Sequence, residues 1–194
     1  LTEKELKLLL IYINTRKHAA RDRAMIQMSY MAGMRIAEIA NTKIGDVLSH
    51  DGSIKPNLRL SAEQTKGKRG RTVVLSEKLR KELHNYLLHR FNLTSKELIA
   101  LTRNENMKMP LFATQKRDGF DANTACYHFH MLYKAAGLDG ASSHSGRRTF
   151  LTQLSAKSVP LKVLMELAGH RQAQTTMRYI NVTDDMKRAA VELL

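Results

Sequence analysis

From Leu6 to Ile13 the chain is almost wholly apolar. The preceding Thr2-Glu3-Lys4-Glu5 has the spacing of a capping box, which predicts a first helix. A basic joint over 14–23 leads into a second helix, Ala19–Ala32, whose Ala24, Met25, Met28, Met31 and Ala32 recur at the helical period. Gly33 is expected to end it, and a short helix to start at once over Met34–Ala40, with Arg35 at the junction and Glu38 one turn on. Residues 44–75 change character. Asp51-Gly52 signals a turn, Asn57–Gln64 alternates, and Arg71–Leu75 is β-branched, which predicts a small antiparallel sheet with a basic, glycine-bearing tip, Thr65–Gly70. Ser76 is placed to cap a helix reaching Phe91. A short helix (Ser95–Leu101) and a loop around Pro110 follow, then a helix from Asn123 to Ala136 stopped by Gly137. Further helices are expected over 144–156, 160–168 and 172–179, and a last amphipathic one over Asp184–Leu194, with Met186, Ala189, Ala190, Val191 and Leu194 as its apolar positions. The expected fold class is mainly α with a small antiparallel β-sheet.

Composition narrows what such a fold can serve. A chain of 194 residues with 43% apolar content suits one large domain that buries its core without disulfides. The single cysteine, Cys126, excludes a disulfide framework and a cysteine zinc site, and points to a reducing, intracellular compartment. No apolar run is long enough for a membrane span, and no signal peptide is present at the first residue, Leu1, so a piece of a longer protein is expected. Thirty-two Lys and Arg against eighteen Asp and Glu give a net charge of +14, an excess that attracts polyanions, with nucleic acid the default partner. Aromatic residues make up only 6% with no Trp, which argues against a single-strand binder built on stacking platforms.

The candidate chemistry gathers between Ser143 and Asn181. His144 and Arg147 are one helical turn apart, Gly169 is placed to close a helix ahead of His170, and Tyr179 follows nine residues later. Taken singly, each has an ordinary structural reading. Together they suggest a cationic pocket facing a phenol, which suits a phosphate and a nucleophile. A phenol of pKa about 10 attacks poorly unless positive charge and a base assist it. Arg147 and Arg35 are suited to bidentate phosphate contacts, and the two histidines to donating to a phosphate or moving a proton. The tip supplies Lys66, Lys68 and Arg69, with Arg71 just beyond; Lys68, Arg69 and Arg71 are expected on DNA. No residue set has metal-ligand spacing, and the tip lacks the spacing of an NTP-binding loop.

Gly-Met-Arg35-Ile-Ala-Glu38-Ile, Gln-Thr-Lys66-Gly in a β-hairpin, His144-Ser-Gly-Arg147-Arg-Thr-Phe, Leu-Ala-Gly-His170 and then Tyr179 together resemble the catalytic domain of the tyrosine recombinases, the phage-integrase family. The resemblance spans nearly the whole chain. It implies cleavage of one strand of double-stranded DNA through a 3′-phosphotyrosine, and attack on that link by a partner strand's 5′-hydroxyl. Neither ATP nor metal is implied. Carried onto this sequence, Tyr179 is the nucleophile and Arg35 and Arg147 clamp the scissile phosphate. His170 donates to a non-bridging oxygen, His144 accepts the phenol proton, Lys66 is the general acid for the leaving 5′-oxygen, and Glu38 supports the site. Lys68, two residues on, is the competing candidate for the acid.

The resemblance also implies a catalytic domain over 1–194 without its N-terminal DNA-clamping domain, a homotetramer on two duplexes from a fragment that is monomeric alone, and a place in the bacterial cytoplasm. Gly146 departs from the family pattern where a larger apolar residue is common, and Arg148 where a histidine is. A type IB topoisomerase would share these residues but relax supercoils without a synapse. A non-catalytic DNA-binding regulator of the same fold would not need the full set.

Overall fold

The computed structural model describes residues 1–65, 69–114, 119–180, 182 and 184–192. In chain order the elements are α1 (Glu3–Asn14), α2 (Ala19–Ala32), α3 (Ile36–Ala40), α4 (Ile44–Val47), β1 (Asn57–Leu60), β2 (Arg71–Val74), α5 (Glu77–Phe91), a 3-10 turn (Glu97–Thr102), α6 (Asn104–Lys108), α7 (Ala122–Ala135), α8 (Ser145–Ala156), α9 (Leu161–Ala168), α10 (Ala173–Met177) and α11 (Asp184–Val191). The fold is the expected one, mainly helical with one two-stranded antiparallel sheet, in which Asn57 pairs with Val74 and Leu60 with Arg71. Among the described residues no helix is long and apolar enough to cross a membrane.

Local signals set the starts of α1, α5 and α7. The Thr2 hydroxyl accepts from Glu5 N–H at 3.2 Å and Glu5 Oε2 accepts from Thr2 N–H at 2.6 Å, so α1 opens on the capping box. Ser76 caps α5 through Leu79 N–H, and Asp121 caps α7 through Thr124 N–H. The core is organised around α2, which packs against α1, α3, α5 and α8. Its residues from Ala24 to Ser29 are buried consecutively, Gln27 and Ser29 included, so the helix has no solvent stripe. Gly146 lets α8 lie close to α2: a Cβ there would sit 2.6 Å from Ser29 Oγ and 3.2 Å from Tyr30 N.

Where the structure departs from the expectation, a non-local contact decides. The alternation over Asn57–Gln64 gives a strand only to Leu60, because Gln64 folds back. Its Oε1 accepts from Ser61 N–H (2.8 Å), while its Nε2 donates to Asn41 O (2.9 Å) and Asp46 Oδ2 (2.6 Å). The one-turn helices α4 and α6 carry too little periodicity to be read. They are held by a bridge between Lys43 and Pro110 and by Ile44 N–H donating to Met109 O at 2.9 Å. The helix expected over Ser95–Leu101 is the 3-10 turn, and α3 begins after Arg35, which is extended. Tyr127, on α7, is 65% exposed. Residues 193–194, at the end of the last expected helix, lie outside the described residues.

At the far end of α2 from Gly33, a fully buried Asp22 accepts from Arg16 Nε (3.2 Å), Arg21 Nη2 (2.9 Å) and His128 Nε2 (2.8 Å). Burial alone would raise this carboxyl, but its hydrogen bond with His128 and the adjacent positive charge hold it below the usual range. The cluster ties α7 and the α1–α2 joint to the N-terminus of α2.

Candidate active site

Gly33 takes a left-handed conformation (φ 59°) and closes α2, and the chain leaves it extended through Arg35. That reversal sets Arg35 over the first turn of α3 beside Glu38. Glu38 is fully buried and accepts four hydrogen bonds. Oε1 takes Arg35 Nη1 (2.9 Å) and Arg71 Nε (3.1 Å); Oε2 takes Arg35 N–H (2.8 Å) and Arg71 Nη2 (2.7 Å). Burial would raise the Glu38 carboxyl, but the hydrogen bonds and charges of Arg71 and Arg35 outweigh it and hold the group below the usual carboxylate range. Arg71, expected on DNA, has its guanidinium engaged by Glu38 and by Leu167 O (2.8 Å) and also lines the cleft beside His170. It is a brace between the sheet and α9.

The C-terminus of α9 carries the other half. Gly169 (φ 64°) ends it, with His170 N–H donating to Met165 O at 2.9 Å and Gly169 N–H to Glu166 O at 3.0 Å, the Schellman pattern. A Cβ at Gly169 would stand 2.7 Å from Arg71 Cδ, so glycine serves both the backbone and the close approach. Arg147, on the buried face of α8, donates from Nη1 to Gly33 O and from Nη2 to Ala168 O (2.6 Å) and His170 Nε2 (2.9 Å). Arg147 and Arg71 thus satisfy the orphan carbonyls ending α2 and α9, where the helix dipoles favour positive charge.

Burial, with Arg35 and Arg71 adding like charge, lowers the Arg147 pKa to about 9, so it stays cationic at neutral pH. Burial, then Arg147, Arg35 and Arg71, lowers His170 to about 4, so its ring is neutral there. A guanidinium can only donate; His170 Nε2 is therefore an acceptor, and the ring proton sits on Nδ1, 2.9 Å from Thr176 Oγ1.

Tyr179 lies on the turn just past α10, its N–H donating to Thr176 O (2.9 Å) and its carbonyl accepting from Thr152 Oγ1 (3.3 Å). Its half-buried ring is stacked on His170, with centroids 6.0 Å apart and planes 18° apart. A cleft of about 390 Å³ opens between Arg35, Arg71, Gly169 and His170, rimmed by Thr65, Arg69 and Arg171. Four arginines, Arg35, Arg69, Arg71 and Arg171, outnumber the one carboxylate on its lining, Glu166, which is paired with Lys162, and so the cleft suits an anion.

The structure brings together Arg35, Glu38, Arg147, His170 and Tyr179. His144 stands exposed immediately before α8, and among the described residues no side-chain contact joins it to the others. Lys66 and Lys68 lie outside the described residues; Thr65 and Arg69, which flank them, are joined by a hydrogen bond from Thr65 Oγ1 to Arg69 O. Sequence reasoning missed the partnership of Arg71 with Glu38 and the contact of Thr176 with His170. Residue order carried no signal for Thr176, whose burial and five-residue helix are seen only in the structure.

A sequence model of the phage integrase family matches residues 1–186. The chain belongs to this family. Among its relatives in the phage integrase family, tyrosine recombinase XerA of Pyrococcus furiosus is 28% identical over 99% of this chain and 60% of the relative. Tyrosine recombinase XerA of Thermococcus kodakarensis is 30% identical over 99% of this chain and 61% of the relative. The chain thus spans about three fifths of the length of these relatives. Among solved structures, the crystal structure of XerA recombinase matches with a TM-score of 0.72 at 24% identity, covering 100% of this chain and 64% of that one. XerH site-specific recombinase bound to palindromic difH substrate, in its post-cleavage complex, matches with a TM-score of 0.71 at 23% identity, covering 98% of this chain and 51% of that one. At these identities the structural likeness speaks for the fold.

Proposed function

We propose that this chain is the catalytic domain of a site-specific DNA recombinase that cuts and rejoins double-stranded DNA through a 3′-phosphotyrosine at Tyr179, without ATP or metal. The observation that carries this reading is the convergence of Arg35, Arg147 and His170 from three separate helix ends beside the Tyr179 ring. In this mechanism Tyr179 Oη attacks the scissile phosphorus and the bond to the 5′-oxygen breaks. The phenol proton passes to a base, His144 by resemblance. The leaving 5′-oxygen takes a proton from Lys66. Arg35 and Arg147 stabilise the charge that builds on the non-bridging oxygens, in a partly desolvated cleft where fixed cations act strongly. Attack by a partner strand's 5′-hydroxyl reverses the step and frees Tyr179. Four copies on two duplexes complete the exchange, in the cytoplasm of a bacterial host.

A duplex nicked near the cleavage site tests the reading, because loss of a short fragment traps the intermediate. A covalent protein–DNA adduct that survives denaturation is expected; no adduct on any duplex that the protein binds specifically would overturn it. The acid has its own test. A positioned acid contributes roughly 10²–10⁴-fold, and a 5′-bridging sulfur leaves without one. Lys66→Ala is expected to be slow on ordinary DNA and largely restored on the 5′-thio substrate, whereas Arg35→Ala stays slow on both. Rescue of Lys68→Ala instead would move the role two residues along.

A further inference from the structure

The resting hydrogen bonds of His170 point the wrong way for donating to a non-bridging phosphate oxygen, the role that the family resemblance implies for it. Nε2, the nitrogen shared with Arg147, is bare and accepts from Nη2; the single ring proton is on Nδ1, facing Thr176 Oγ1. To donate to a phosphate oxygen, Nε2 must carry a proton. A second ring proton is disfavoured by burial and by Arg147, Arg35 and Arg71, while Glu38 is already bound by two of these arginines and Glu166, on the cleft rim, is exposed and paired with Lys162. The alternative is a change of tautomer, which needs a partner at Nδ1 able to accept in one state and donate in the other. A carboxylate could only accept. A hydroxyl does both. Thr176 supplies that hydroxyl, and it is fully buried, so bulk water is not at hand to replace it.

We propose that Thr176 is a positioning residue that lets His170 exchange tautomers between the empty and the phosphate-loaded site. In the empty site Thr176 Oγ1 accepts from Nδ1–H. In the loaded site it donates to bare Nδ1, and Nε2–H turns to a phosphate oxygen. The half-buried ring exchanges protons with solvent only when it turns out toward the cleft; there Nδ1 gives up one proton and Nε2 takes one, so none is gained overall. The same change withdraws the acceptor that held Arg147 Nη2, freeing that N–H for the phosphate. Arg147 and His170, closed on each other at rest, thus open together onto the anion. The loaded half of this inference rests on the recombinase reading; the resting half does not.

Long-range proton–nitrogen correlation of the histidine rings, in 15N-labelled protein at neutral pH, reads the tautomer directly. The free protein is expected to show His170 neutral with its proton on Nδ1. Bound to a specific duplex as the uncleavable Tyr179→Phe variant, it is expected to show the proton on Nε2 and the ring still neutral. An Nε2–H tautomer in the free protein, or a ring that is unchanged or doubly protonated on DNA, would overturn the proposal.

Variants give the second arm. In metal sites, removing the partner of a histidine's second nitrogen costs roughly 10–100-fold in activity, and the same range is expected here. Thr176→Val, close to threonine in shape, should cut the rate of adduct formation by that factor at saturating DNA with unchanged DNA affinity, while Thr176→Ser restores it to within about threefold of wild type. Equal rates for Val and Thr, or a serine variant as slow as valine, would defeat the assignment. If the unaltered protein forms no adduct, the recombinase reading fails, and the tautomer of the free protein alone then decides the role of Thr176.

Discussion

Tyr179→Phe is expected to abolish the covalent protein–DNA adduct while leaving DNA affinity within about twofold of the unaltered protein, since affinity comes mostly from phosphate contacts. The substitution removes one oxygen and keeps the ring that stacks on His170 at 6.0 Å. The turn carrying it is held by backbone atoms, through Thr176 O and Thr152 Oγ1, and does not depend on the hydroxyl. A positioned site without its nucleophile should therefore bind and not cut. Denaturing gel analysis on the nicked duplex, beside a titration at fixed salt, separates the two quantities. An adduct persisting in the phenylalanine variant would place the nucleophile elsewhere. A parallel loss of binding would mean that the hydroxyl, and not only the phosphate contacts, holds the DNA.

Glu38→Ala is expected to lower unfolding stability by about 3–5 kcal/mol, the usual range when one partner of a buried ion pair is removed. Arg35 and Arg71 keep side-chain exposures of only 24% and 10%, so neither can simply rehydrate when the carboxylate goes. Arg147 would feel the loss as well, because Glu38 is a negative charge that supports its protonated state. The pH dependence follows from the direction of the Glu38 shift. Its folded pKa lies below the unfolded value, so its contribution is complete above the unfolded pKa and disappears as pH falls through the folded one. Urea unfolding across this acid range should show a falling stability in the unaltered protein and a flatter limb in the variant. A loss under about 1 kcal/mol would mean that the carboxylate is hydrated in solution and not the anchor its geometry describes.

Features decided within a few residues were legible without the fold. The capping box at Thr2, the cap at Ser76, and the left-handed ends at Gly33 and Gly169 act over one turn, so the helices they bound could be read from residue order. That Arg35, Glu38, Arg147, His170 and Tyr179 belong to one cluster was read through the family resemblance of their motifs, and the structure does gather them.

What the order of residues left open is what depends on neighbours far along the chain. Alternation over Asn57–Gln64 could not show that Asn41 and Asp46 would capture Gln64 and end the strand. The period of α2 marked one apolar stripe, but packing against both α5 and α8 buries the helix all round. That Arg71 braces the sheet against α9 could not be read, because its charge was visible and its partners, Glu38 and Leu167 O, were not. For His170 even the hydrogen-bonding sense of the ring was undetermined. It took Arg147 at one nitrogen and Thr176 at the other, brought together by the ends of α8, α9 and α10, to select the tautomer, since a ring with one proton takes its direction from whichever neighbour can only donate.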